Sequence, residues 1–269
     1  MQLVELQEAW PALEAGGVAL FGLSYDAVPV LAGFAEKRGI TFPLLSDEGS
    51  HTIRSLGLLN QHVAEQHAFY GIQMRDEHQG IPYPGTFVLD EGGVITDKRF
   101  EQSYRVRPTA PVFAEYAFGP SAEVPEGAAR ASGSGVRIEA WTDAPTYRPY
   151  QQVRLHVQLT LEPGHHVYVP PVPEGFVPLA VDVDPLEGLT VGAPEWPTGR
   201  PFRVEGLDEE FFVAEGTVRL VVPLLFTQNL GSMLVRAAVR YQTCTEAECF
   251  PPASASVEVP LTGLDVIRD

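Results

Sequence analysis

Gly119-Pro120-Ser121-Ala122-Glu123-Val124-Pro125-Glu126-Gly127, running on into Ala131-Ser132-Gly133-Ser134-Gly135, decides how this chain divides. The stretch has no apolar period and is dense in turn formers, so neither a helix nor a strand finds a face to bury in it. Residues 119–135 therefore read as a linker. Composition changes across it: 7 prolines precede residue 119 and 17 follow, and both lysines, Lys37 and Lys98, lie before it. A length of 269 residues accommodates two domains of ~100 to 200 residues, expected at residues 1–118 and 136–269.

Upstream of the linker, helical and strand patterns alternate. Leu3, Leu6, Trp10 and Leu13 recur at helical spacing, and Gly16-Gly17 stops that segment. The nearly unbroken apolar run Val18 to Leu23 reads as a buried strand, and a second helix is expected over Val28 to Arg38, stopped by Gly39. Thr86 to Leu89, the turn Asp90-Glu91-Gly92-Gly93 and Val94 to Phe100 form a hairpin pattern. Downstream, proline interrupts most windows long enough for a helix. Val153 to Leu159, Val218 to Val222, Leu234 to Tyr241 and Ser256 to Val259 are strand-like runs between turns. The fold class expected is α/β plus all-β: an α/β domain followed by a β-sandwich.

Charge and hydropathy narrow the function. Eighteen Lys and Arg stand against 35 Asp and Glu, a net charge of −17, so a phosphate backbone is repelled and nucleic acid is not an expected partner. The apolar run Leu220 to Phe226 contains Pro223 and is far short of the ~18 residues of a membrane span. His51, His62, His67 and His78 fall in the first domain, but His62 and His67 are five residues apart, whereas two ligands on one helical face need a spacing of about four. No metal or other cofactor is expected.

Two cysteines occur, Cys244 and Cys249, in Tyr241-Gln242-Thr243-Cys244-Thr245-Glu246-Ala247-Glu248-Cys249-Phe250-Pro251-Pro252. They are too few for a disulfide scaffold. If Thr245 to Glu248 form a four-residue hairpin loop, the two thiols face each other across neighbouring strands, at the separation a disulfide needs. Such a bridge closes so short a loop that it removes only ~2 kcal/mol of unfolded-state entropy, little for a staple. Redox exchange is the alternative use of a local pair. Glu209, Glu210, Glu246 and Glu248 flank the motif with Arg240 the only nearby base in sequence, a field expected to disfavour thiolates.

Two resemblances follow from these residues. Leu20-Phe21-Gly22-Leu23-Ser24-Tyr25-Asp26, Arg38 to Asp47 and Tyr83-Pro84-Gly85-Thr86-Phe87-Val88-Leu89-Asp90 resemble, in order, the peroxiredoxin-type (AhpC/TSA) branch of the thioredoxin fold. The resemblance implies an incomplete thioredoxin-like domain in which Pro84 takes the family's cis-proline position. It also places the family's reactive cysteine ahead of a helix like Gln2 to Leu13, where this chain begins, and puts Gly85 where peroxidatic members carry an arginine. Residues 1–243 contain no cysteine, so peroxidase activity is not expected.

Gly164-His165-His166-Val167-Tyr168, Asp208-Glu209-Glu210-Phe211-Phe212 and the dithiol segment are similar, in order, to the N-terminal domain of the thiol:disulfide interchange protein DsbD. That family implies an immunoglobulin-like sandwich with a redox dithiol at one end. It further implies Cys249 as the residue forming the intermolecular disulfide, Cys244 as the resolving residue and Phe211 as a cap over the sulfurs. Glu210, Tyr168, His166 and Tyr241 would line the site, although aromatic residues are common where His165-His166 stand. The implied function is thiol-disulfide exchange with thioredoxin-like partners, fed by a membrane electron carrier and housed in the periplasm. Met1 to Leu6 show no basic leader with an apolar core, which conflicts with that home. The competing readings are a protein-binding module with a structural disulfide and a remnant of a peroxiredoxin-like antioxidant enzyme.

Overall fold

A computed structural model describes residues 2–101, 103, 105–119, 121, 123–203 and 211–266. Its backbone separates into two units that divide at Ser121.

The first unit contains α1 (Gln2–Ala15), β1 (Gly22–Ser24), α2 (Val28–Arg38), β2 (Leu44–Ser46), α3 (His51–Ser55), α4 (Val63–Phe69), β3 (Gly85–Leu89), β4 (Ile95–Phe100), β5 (Arg107–Pro108) and α5 (Ala110–Phe118). Helix α2 has proline in its first turn and ends on Gly39 in the left-handed region at φ 64°, where a side chain would be strained. Leu6, Ile40 and Phe42 form a buried cluster against Leu3, Trp10 and Phe34. Strand β1 pairs in parallel with β2 from Gly22 to Ser24 only, shorter than the apolar run from Val18 suggests. The partner explains this: Pro43 precedes β2, and although its carbonyl accepts from the Gly22 amide, it has no N–H to extend the ladder. Strands β3 and β4 form the expected hairpin.

The second unit is built almost entirely of strands: β6 (Ala129–Gly133), β7 (Val136–Thr142), β8 (Thr146–Tyr147), β9 (Gln151–Leu161), β10 (His166–Val169), β11 (Ala180–Val183), β12 (Leu189–Val191), β13 (Arg200–Phe202), β14 (Phe211–Glu215), β15 (Thr217–Phe226), β16 (Ser232–Tyr241), β17 (Thr243–Cys244) and β18 (Ala253–Gly263). One sheet runs β12-β15-β9-β7-β6 and another β11-β16-β18-β8. Alternate residues of these strands, among them Leu155, Val157, Leu220, Val222, Val239 and Val257, point into one continuous core. A smaller sheet, β13-β14-β10-β17, carries the cysteine segment.

The stretch expected to be linker is only partly one. Residues 129–133 form β6, which pairs antiparallel with β7 from Ala129↔Ala140 to Gly133↔Val136. Small residues there carry no apolar period, yet Ser134-Gly135 between the strands is a two-residue hairpin turn, with Gly135 at φ 68°. Gly133 is also a close-approach site, because a Cβ there would lie 2.0 Å from the Tyr241 hydroxyl oxygen.

Candidate functional site

The cysteine segment forms a tight hairpin. Cys244 and Cys249 are antiparallel bridge partners with Cα atoms 4.0 Å apart, joined by a disulfide. The turn between them is self-contained: the Thr245 amide donates to the Glu248 carbonyl at 2.8 Å, and the Thr245 hydroxyl accepts from the Glu248 amide at 3.2 Å. Below it, the Phe250 amide donates to the Thr243 carbonyl at 2.9 Å and the Gln242 side-chain amide donates to the Phe250 carbonyl at 3.0 Å. The two halves of the disulfide differ in environment. Cys244 is fully buried, whereas Cys249 is exposed.

Register brings distant residues onto the face that carries Cys244. In β10, His166 lies opposite Cys244 of β17 and Glu215 of β14, and Tyr168 lies opposite Val213. Directly opposed residues share a face, as do residues two apart on a strand. Tyr168, Phe211, Val213 and Cys244 accordingly form one buried cluster, with Val172, Phe176 and Phe202 packed against it. The Tyr168 hydroxyl reaches the other sulfur, 3.3 Å from Cys249 Sγ. Burial pushes the Tyr168 phenol above its ordinary pKa, so it stays protonated.

Residues 1–98 match the AhpC/TSA family, and residues 139–261 match the family described as thiol:disulfide interchange protein DsbD, N-terminal. The first unit is thus similar to the AhpC/TSA family and the second to the DsbD N-terminal family. The first has the thioredoxin-like α/β fold and the second the immunoglobulin-like sandwich. A curated relative of the first unit is the peroxiredoxin bcp of Coxiella burnetii, 32% identical over 94 residues, which are 34% of this chain and 53% of that protein. Another is alkyl hydroperoxide reductase E of Mycobacterium tuberculosis, 32% identical over 106 residues, 39% of this chain and 60% of that one. The chain thus spans little more than half the length of these relatives. Among solved structures, the reduced DsbD N-terminal domain of Neisseria meningitidis aligns at 18% identity and a TM-score of 0.31, covering 40% of this chain and 78% of that one.

Within the DsbD-type unit, the expected site residues occupy different places. Phe211 is 1% exposed and sits among aromatic rings, 4.9 Å from Phe176 and 5.4 Å from Tyr168 between centroids. Tyr168 and His166 share its face. Tyr241 does not: it packs in the main sandwich core, with its hydroxyl against β6. The reason is alternation, since Tyr241 ends the long core strand β16, opposite Ala253 of β18. Glu209 and Glu210 lie outside the described residues.

The charge pattern also departs from the sequence reading. Arg240 extends from β16 to Asp182, with its Nε 2.6 Å from the carboxylate. Among the described residues, a basic group on the site face is Arg200 of β13, which sequence proximity could not have suggested; it pairs with Glu215. The acidic field of Glu246 and Glu248 is thus met by a cation on the same small sheet. His165, half-buried, stacks on Phe250 at 5.5 Å beside the hairpin.

In the AhpC/TSA-type unit, the Tyr83–Pro84 bond is trans, and the cis peptide among the described residues is Pro170–Pro171. The cis expectation for Pro84 came from resemblance alone, and an isolated X-Pro bond favours trans by ~0.5 to 1 kcal/mol. Of the histidines of this unit, His67, on α4, is 3% exposed and packs edge-on against His78 at 4.6 Å. A cavity of about 570 Å³ lies between Leu58, Tyr83 and Phe100.

Proposed function

We propose that this chain is a thiol-disulfide oxidoreductase that passes reducing equivalents through Cys244 and Cys249 to a thioredoxin-like protein. The observation that carries the reading is the inequality of the two sulfurs: Cys249 is exposed and hydrogen-bonded by Tyr168, while Cys244 is fully buried. An incoming thiolate reaches Cys249 and not Cys244. Attack there forms a mixed disulfide through Cys249 and releases Cys244 as the leaving thiol. In the opposite direction, the Cys249 thiolate attacks a partner's disulfide, and Cys244 then attacks Cys249 Sγ, closing the internal disulfide and freeing the partner's second thiol. Two electrons pass from the dithiol to the partner. The Tyr168 hydroxyl is placed to donate to whichever negative charge develops at Cys249.

Phe211 acts in this scheme as the cover of the buried sulfur, limiting access to reagents too small to dock. An extracytoplasmic compartment suits a pair that must cycle through the disulfide state, which reducing cytoplasm disfavours; the match to the DsbD N-terminal family supports the same location. Among the described residues, no helix is long and apolar enough to cross a membrane, so an electron donor held in a membrane would be a separate segment or protein. The AhpC/TSA-type unit contributes no thiol, because residues 1–243 contain no cysteine.

The test is trapping. Incubated with a thioredoxin-like protein bearing one active cysteine, Cys244→Ser accumulates a mixed disulfide and Cys249→Ser does not. Equal trapping by both variants overturns the assigned roles. Failure of either thiol to exchange with any thioredoxin-like protein leaves a structural disulfide in a binding module.

A further inference from the structure

The buried face beside the disulfide holds one polar atom that the exchange scheme does not use. His166 is 2% exposed, and its Nε2 has no hydrogen-bond partner among the described residues. Buried polar atoms are nearly always satisfied, and an orphan calls for an explanation. The ring is held by aromatic neighbours, 4.8 Å from Phe202 and 5.7 Å from Tyr168 between centroids. Its backbone partner across the ladder is Cys244, so the imidazole and the buried sulfur leave the sheet on the same side. Opposed side chains at such positions are within contact range of each other.

A disulfide sulfur carries no proton, and a thiol does. The group that reduction creates opposite it, the Cys244 thiol, has the chemistry to be the partner that Nε2 lacks in the oxidised chain. Cys244 has the corresponding need. Fully buried, its thiol has no access to water, yet only a thiolate attacks a disulfide. The groups facing the imidazole are Glu215 of β14, Arg200 of β13, Glu246 of the hairpin and the neighbouring His165. Glu215 and Arg200 pair with each other, so their charges largely offset. Burial, the larger influence, keeps His166 below its ordinary pKa and therefore neutral and able to accept.

We propose that His166 is the proton acceptor for the Cys244 thiol when Cys244 resolves the mixed disulfide; in the reverse step the imidazole takes up the proton that the attacking partner thiol gives up and passes it to Cys244. The inference rests on the exchange role given above. In the resolving step, the Cys244 proton passes to the imidazole, and the Cys244 thiolate attacks Cys249 Sγ. The Cys249–partner bond breaks, and the partner's sulfur leaves with the electron pair. The imidazolium then loses its proton to solvent or to the departing thiolate.

The experiment uses the reduced full chain and the aromatic disulfide DTNB, which releases one coloured thiolate when Cys249 attacks and a second, in a concentration-independent phase, when Cys244 resolves. In His166→Phe, which keeps a ring against Phe202, and in His166→Gln, the second phase should slow by about a hundredfold or more, the scale of a lost proton acceptor, and the first by no more than about twofold. The second phase of the unaltered chain should level off above the imidazole titration, whereas the variants' should keep rising with pH into the thiol range. Equal slowing of both phases, or of neither, overturns the proposal. Release of a single equivalent by the unaltered chain overturns the exchange role and this inference with it. Independently of any variant, the His166 ring resonances should move when the disulfide is reduced, and unchanged resonances overturn the proposal.

Discussion

The Tyr168 hydroxyl stands 3.3 Å from Cys249 Sγ, although the tyrosine belongs to β10 and the cysteine to a hairpin 81 positions later in the chain. Because the bonded sulfur has no proton, the phenol is the donor. Its burial keeps it protonated, so it can hold charge on Cys249 without competing for a proton. Tyr168→Phe keeps the ring in the aromatic cluster and removes only that donor. The rate of mixed-disulfide formation at Cys249 should fall by about tenfold to a hundredfold, since hydrogen bonds to charged groups contribute about 1.5 to 3 kcal/mol. Stopped-flow measurement with a thioredoxin-like substrate decides it, and an unchanged rate means the hydroxyl plays no part.

Phe211 presents a separate case, because the proposed cover of Cys244 is also a fully buried part of the packing. Truncation to alanine removes a fully buried aromatic side chain and should cost about 3 to 5 kcal/mol of the stability of the second unit. It also opens the route to Cys244. Oxidation of the reduced chain by a small disulfide should therefore accelerate in Phe211→Ala more than exchange with a docked protein does. Phe211→Leu refills most of the volume, and if it accelerates oxidation as much as alanine does, the ring is not the cover.

Gly133 offers a test of the part of the sandwich that composition conceals. A methyl group there would meet the Tyr241 hydroxyl oxygen at 2.0 Å, far inside van der Waals contact, and the aromatic ring is fixed in the core. Gly133→Ala should destabilise the second unit by about 1 to 3 kcal/mol, the usual cost of overpacking. In Gly133→Ala with Tyr241→Phe, the clash should shrink and part of the loss return. Urea unfolding of the four species measures the coupling, and additive losses would show that the two residues do not oppose each other.

The dithiol hairpin was legible from the sequence because everything that builds it is local: two cysteines, four residues between them and strand patterns on both sides. The long sandwich strands were legible for the same reason, their alternation being visible along Val153 to Leu159 and Leu234 to Tyr241. What the local pattern does not contain is register between segments far apart. That His166 falls opposite Cys244, and that Arg200 rather than Arg240 joins the site face, depends on how β13, β14, β10 and β17 slide against each other. Strand β6 escaped because Ala-Arg-Ala-Ser-Gly has no large apolar residue, and only the Ser134-Gly135 turn announced it. At Tyr241 and Pro84 resemblance outran geometry. The tyrosine lies next to the motif in sequence but turns into the core, and the proline bond is trans.

His156 makes the second unit sensitive to acid. It lies on β9, opposite Trp141 of β7, with the two rings stacked at 5.4 Å and an interplanar angle of 7°. The Arg219 guanidinium lies over the indole ring, 4.9 Å from its centroid. Burial is the main cause that brings the His156 pKa down to about 4, and the positive charges of Arg154 and Arg219 add to it. In the unfolded chain the imidazole titrates near its ordinary value of about 6.5. Above that pH neither state binds the proton and stability is unaffected. As pH falls below it, the unfolded chain takes up a proton that the folded chain refuses, so stability declines until the folded imidazole also titrates near 4. The difference amounts to about 3 kcal/mol across that window. Urea unfolding of the full chain at a series of pH values should show this decline, added to whatever other groups contribute, and His156→Gln should flatten it by about that amount. If the variant and the unaltered chain lose stability in parallel between neutral pH and pH 4, His156 does not carry the acid sensitivity.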